Sequence, residues 1–191
     1  MAVLPIRITG EPVLHERAAE VTAFDDDLRS LVADMLETMD LAPGVGLAGP
    51  QVGVGKRLFV YSYTDDDDVL HRGAAVNPVL WITPPVPESV EELDEDEESE
   101  GCLSIPGERF PLRRSEGALL RASDEHGTPF EVEAHGWLAR IFQHEYDHLD
   151  GWLYADRLVH PYGKQVAKAI RKSSWGGPGQ SWLPGRDHPE G

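Results

Sequence analysis

Apolar residues between 25 and 40 recur at three- and four-residue steps, at Leu28, Leu31, Val32, Met35, Leu36 and Met39. That is the period of a helix with one buried face. Asp25 or Asp26 can cap its start, and Pro43 stops it. The glycine-rich stretch GVGLAGPQVGVG (44–55) then leads into RLFVYSY (57–63), whose aromatic and β-branched residues suit a strand. TDDDD (64–68) reads as a solvated loop, and AAVNPVLWI (74–82) as a second strand region broken by Pro78. ALLRAS (118–123) and PFEVEA (129–134) flank the turn-rich DEHG and predict a hairpin. A second helix is expected over 136–149, with Leu138, Ile141, Phe142 and Leu149 on its apolar face and Gly151 where a C-terminal cap belongs. A third is expected over 162–173, followed by an irregular tail, SWGGPGQSWLPGRDHPEG. No internal repeat is evident. Strands gathered ahead of a helix predict α+β, with antiparallel or mixed strands around a central helix.

Length and charge narrow the function. At 191 residues the chain suits one domain with a real core. It carries 34 Asp and Glu against 17 Lys and Arg, a net charge of −17, which argues against general DNA or RNA binding. No apolar run approaches the ~18–20 residues that cross a bilayer. The start, MAVLPIRITGEPVL, lacks a basic segment followed by a long apolar one, so a cytoplasmic location is expected. One cysteine, Cys102, excludes an intramolecular disulfide. Residues 83–99, TPPVPESVEELDEDEES, read as a disordered or loosely held acidic insertion.

The chemistry concentrates in three segments. His144-Glu145-Tyr146-Asp147-His148 is an H-E-x-x-H on the expected second helix. The i, i+4 spacing puts both imidazoles on one face, able to share a divalent cation, with Glu145 placed as general base and acid. Two surface histidines on an acidic helix would share the same letters. A catalytic site needs a third protein ligand and an open position. The run HEYDHLDGWLY matches half of a protease pattern whose third histidine is replaced here by Tyr154, and the only later glutamate is Glu190. Upstream, Cys102 stands in EGCLS (100–104), where it can be a thiolate ligand, a nucleophile or a small buried hydrophobe. In GVGLAGPQ (44–51), small residues allow close backbone approach to a ligand, and Gln51 can donate an amide hydrogen bond to an oxyanion or be an ordinary loop residue.

Together these segments resemble the peptide deformylase family, which shows a GxGLAAxQ-type segment, EGCLS and QHExDHLxG in this order. Here they stand as GVGLAGPQ, EGCLS and QHEYDHLDG (143–151). The resemblance implies a catalytic domain over 1–160 carrying the acidic insertion, then a C-terminal basic helix and tail over 161–191. The insertion and the SWLPG tail resemble the actinobacterial branch. The implied reaction is removal of the formyl group from N-formylmethionyl nascent peptides with release of formate. Cys102, His144 and His148 become the metal ligands, with water in the fourth position. Glu145 moves the protons, and the Gln51 side chain and the Leu103 N–H stabilise the oxyanion. Val45, Gly46, Gly101, Arg109, Trp137, Arg140 and Ile141 are implied around the substrate. The implied cellular ion is Fe²⁺, with Ni²⁺, Co²⁺ or Zn²⁺ as substitutes. Gly49 stands where the family usually has alanine, and loss of that methyl is expected to loosen the backbone beside Gln51. The runner-up function is an H-E-x-x-H metallopeptidase, and a third reading is a non-catalytic metal-binding protein at the ribosome. Lys164, Lys168, Arg171 and Lys172 form a basic stripe on the third helix, either a solvated face or a ribosome contact. A monomer is expected.

Overall fold

The computed structural model describes residues 2–84 and 98–187. The expectation for the acidic insertion therefore lies outside the described residues over 85–97, as does the tail beyond 187. In chain order the elements are β1 (Ile6–Arg7), α1 (Asp26–Leu41), β2 (Gly46–Ala48), β3 (Leu58–Thr64), β4 (Leu70–Ile82), β5 (Ser99–Cys102), β6 (Ile105–Pro111), β7 (Gly117–Ser123), β8 (Pro129–His135), α2 (Gly136–Leu149), α3 (Tyr154–Arg157), α4 (Tyr162–Lys172) and β9 (Ser181–Trp182). Short 3₁₀ turns occupy Pro12–Leu14 and Gly49–Val52. The fold is α+β, and the strand pairs are antiparallel.

Five strands form one sheet in the order β2-β3-β4-β7-β8. The two-residue alternation of β3 divides its side chains between two cores. Leu58 and Val60 join Leu28, Val32, Met35 and Met39 of α1, whereas Phe59 and Tyr61 join Leu138, Ile141 and Phe142 of α2. The sheet thus lies between the two helices. Each fully buried Leu or Phe in these layers is worth roughly 1.5–3 kcal/mol relative to exposure. The α1 start is capped as the sequence predicts, with the Asp25 carboxylate accepting the Leu28 N–H at 3.0 Å.

Two sequence expectations need correction. Pro78 does not break β4, which runs through it. The ladder to β7 shifts register between Val76 and Val79, and Asn77 takes φ +50°. The bulge accommodates a residue with no N–H to donate, and the Asn77 amide is held by both backbone groups of Val21 at 2.8 Å. The tail is not wholly irregular either. Ser181 and Trp182 form β9 against β1 at the opposite end of the chain, pairing Ile6 with Trp182.

Candidate metal centre and cleft

His144 and His148 lie on α2, one turn apart, and their Nε2 atoms approach to 3.2 Å. The Cys102 sulfur sits 3.4 Å from His148 Nε2, and the three donor atoms lie within 4.8 Å of one another. A tetrahedral ion with nitrogen ligands at about 2.05 Å and sulfur at about 2.3 Å requires N–N edges near ~3.3 Å and N–S edges near ~3.6 Å. The His144–His148 and Cys102–His148 separations match those edges. Three buried lone pairs converging without a cation would repel and lie unsolvated. Among the described residues this is the one cluster of its kind, and neither a third histidine nor a glutamate joins it. Tyr154 instead stacks its ring on His144, with centroids 6.3 Å apart, and donates its hydroxyl to the Glu108 carbonyl at 2.9 Å.

The third donor comes from a hairpin that the sequence did not announce. β5 and β6 pair with a register shift between Gly101 and Cys102, and Leu103-Ser104 forms the turn between Cys102 and Ile105. Within the turn Leu103 is half-buried and Ser104 fully inaccessible. Gln51 reaches it from the 3₁₀ turn after β2. Its Oε1 accepts the Ala48 N–H at 2.8 Å, which turns the amide nitrogen toward Ser104 Oγ (3.3 Å) and Cys102 Sγ (3.7 Å). The amide donor is thereby fixed at the edge of the donor set.

A buried charge network orients the helical ligands. Glu100 Oε1 lies 2.6 Å from His144 Nδ1, which leaves His144 Nε2 with its lone pair toward the cluster. The same carboxylate accepts Arg114 Nη2 at 2.7 Å and Arg140 Nη1 at 3.1 Å. Arg114 also donates to Asp147 at 2.6 Å, and Arg157 donates to Asp147 at 2.7 Å. Burial opposes ionisation of Glu100, but His144 and Arg114 outweigh it and hold the carboxyl well below the usual range. Sequence reasoning missed Arg114, Asp147 and Arg157, because no local spacing marks partners 10 to 33 residues apart. It also left Glu100, the first letter of EGCLS, without a role.

A cleft of about 350 Å³ opens onto this centre. Val45, Gly46, Gln51, Gly101, Cys102, Leu103, Arg109, Trp137, Arg140, Ile141, His144 and Glu145 all line it. Of the sequence-predicted site residues only His148 is absent from the lining; it is buried and joins through its Nε2. Arg140 is largely committed elsewhere, giving Nη1 to the Leu112 carbonyl at 2.6 Å as well as to Glu100, with its guanidinium 5.2 Å from the Trp137 ring centre. Glu145 is buried against Gly46, and its Oε2 has no hydrogen-bond partner among the described residues. Burial pushes its carboxyl up to about 7.

Gly49 reads differently in three dimensions. A Cβ there would lie 2.7 Å from the Lys56 carbonyl oxygen and 3.0 Å from that of Val54. The glycine is a close fit to neighbouring backbone and not a slackened alanine site, which corrects the expectation of a loosened segment.

The polypeptide deformylase family model matches residues 3–163. A peptide deformylase of Tropheryma whipplei is 50% identical over 190 residues, covering 95% of this chain and 94% of that protein. One from Mycolicibacterium paratuberculosis is 49% identical over 192 residues, covering 97% and 96% respectively. Among solved structures, the Thermus thermophilus peptide deformylase superposes with a TM-score of 0.73 at 38% identity, over 89% of this chain and 94% of that one. The Synechococcus elongatus enzyme, solved in complex with actinonin, gives 0.74 at 35% identity, over 90% and 86%.

Proposed function

The chain belongs to the polypeptide deformylase family, and from that premise we propose how its residues remove the formyl group from N-formylmethionine and release formate. The enzyme is a metal-dependent hydrolase of protein biosynthesis. The observation that carries the residue assignment is the convergence on one cleft of three soft donors, a buried carboxylate and a fixed amide donor.

Cys102, His144 and His148 hold the ion, and α2 acts as the central helix that presents two of the three ligands. When bound, the ion supplies Lewis acidity toward water and the formyl carbonyl. Glu145 takes a proton from the attacking water as the new C–O bond forms. The Gln51 amide and the Leu103 N–H donate to the carbonyl oxygen as it gains charge. As the C–N bond breaks, Glu145 returns its proton to the leaving amine, and formate departs. Val45, Gly46, Gly101, Arg109, Trp137 and Ile141 surround the peptide and its methionine side chain, while Arg140 holds the cleft wall.

Fe²⁺ is the cellular ion in this reading, with Ni²⁺, Co²⁺ or Zn²⁺ able to replace it; elemental analysis of anaerobically purified protein reads which is present. A nascent-peptide substrate supports a cytoplasmic location. No described helix is long and apolar enough to cross a membrane. Lys164, Lys168, Arg171 and Lys172 are all exposed on α4, whose Val166 is buried. They offer a basic face to ribosomal RNA, and reversing the four charges should weaken co-sedimentation with ribosomes. The metallopeptidase alternative is not favoured, because the third ligand is a hairpin cysteine.

The deciding experiment is formate release from a short formyl-Met peptide by anaerobically purified protein beside Glu145→Gln. Turnover by the parent, with a loss of about 10²–10⁴-fold in the variant and metal kept in both, is the expected result. Equal turnover by both would overturn the role of Glu145, and none by a metal-loaded parent would overturn the reaction.

A further inference from the structure

We propose that Trp182, in the C-terminal tail, is a positioning residue that holds the Cys102–Ser104 turn in its catalytic geometry. This rests on the reading of Leu103 N–H as an oxyanion donor. The turn's two carbonyls are each captured by an opposite end of the chain. The Trp182 indole N–H donates to the Leu103 carbonyl at 2.9 Å, and the Thr9 N–H donates to the Ser104 carbonyl at 2.8 Å. These bonds fix the planes of the two peptides that follow Leu103 N–H, so they limit rotation of the segment carrying both that donor and the Cys102 ligand.

The indole is itself firmly anchored. Trp182 is buried, in the same core as Ile6, Met39 and Leu47. Its strand pairs with β1, and the tail ahead of it is zipped to the N-terminal segment. Ile8 N–H donates to the Gln180 carbonyl at 3.1 Å, Gly176 N–H to the Thr9 carbonyl at 3.0 Å, and Glu11 Oε1 accepts the N–H groups of Gly179 and Gln180. The two termini therefore form one strap on the turn, and neither Thr9 nor Trp182 lines the cleft.

Trp182→Phe keeps an aromatic ring in the core and removes the N–H, leaving the Leu103 carbonyl without its indole donor. Removing an oxyanion donor outright costs about 10²–10³-fold; loosening one should cost about tenfold in kcat, with KM for the formyl peptide within about twofold and metal content unchanged. Ile6→Val, at the residue paired with Trp182, is the control for general loosening. It should lower Tm with kcat intact. Amide exchange at Leu103 and Ser104 should speed up in Trp182→Phe and not in Ile6→Val. Unchanged kcat and exchange in Trp182→Phe, or equal losses in both variants, would overturn the proposal. Should Trp182→Phe fail to fold, benzothienylalanine at 182, which puts sulfur in place of the indole N–H at constant shape, carries the same comparison. A parent that released no formate would overturn the reaction, while the exchange measurement would still judge the strap.

Discussion

Gly46→Ala separates function from stability at a single methyl. A Cβ at Gly46 would stand 2.2 Å from Glu145 Oε1, 2.6 Å from its Cδ and 2.8 Å from its Cγ. Non-bonded heavy atoms prefer about 3.5 Å, so the carboxylate must retreat by roughly 1 Å. The obstacle is the far end of a side chain that can rotate, and Gly46 lies in β2 without a positive φ. The fold should therefore accept alanine with a change of stability within about 1 kcal/mol, part of it offset by the lower backbone entropy of the unfolded chain. Catalysis should not accept it. A base displaced by about 1 Å costs on the order of 10²-fold, or about 2.7 kcal/mol of transition-state stabilisation. The assay is steady-state formate release with metal content and Tm measured on the same preparations. A kcat within threefold of the parent, at unchanged Tm, would refute the claim that Gly46 is small to make room for Glu145.

Two further outcomes follow from contacts already described. Gly49→Ala drives a methyl against the Lys56 and Val54 carbonyls, which belong to backbone and yield little, so thermal unfolding should show a loss of about 1–3 kcal/mol; a gain in stability would show that the loop gives way. In metal-free protein, the lowered pKa of Glu100 means that its ionisation stabilises the fold above the unfolded value of about 4.3 and ceases to do so as pH falls. Denaturation of the parent and Glu100→Gln between pH 6 and pH 3 should show their stability difference shrinking toward acid, and a constant difference would contradict the direction of that shift.

What could be read from the sequence was what local spacing encodes. The α1 stripe from Leu28 to Met39 and the alternation from Leu58 to Tyr61 each state which face is buried, because period and packing coincide within one element. The same locality made the His144–His148 pair visible as possible ligands. Cys102 is different: nothing nearby distinguishes a ligand from a buried thiol, and its assignment came from resemblance across three segments. The hairpin that presents it escaped notice because β5 has four residues and a register shift, while its turn residues, Leu and Ser, carry no turn signature. The β1–β9 pair is harder still. Two residues at each end supply no periodicity, and the glycines and prolines ahead of Trp182 read as loop until their hydrogen bonds to residues 8–11 are seen. Gly46 belongs to a recognised motif, yet its reason for being glycine is a side chain 99 positions away.

On the proposed role of Glu145, its environment explains why these long-range partners bear on the reaction. A carboxylate that must accept a proton from water and deliver it to an amine needs a proton affinity near neutrality. In water a glutamate is far too weak a base, at about 4.3. Enclosure of Glu145 against Gly46 pushes it up to about 7. A divalent cation at the neighbouring donor set pulls in the opposite direction, since positive charge favours the ionised form. Neighbouring charges act on it as well: His144 and Arg114 lower the affinity, while Glu100 raises it. That network sets three arginines, Arg114, Arg140 and Arg157, against two carboxylates, Glu100 and Asp147, so its charges cancel only in part at Glu145. Two local quantities, its enclosure and the ion, also tune the base, and a substitution that alters either should change proton transfer before it changes the fold.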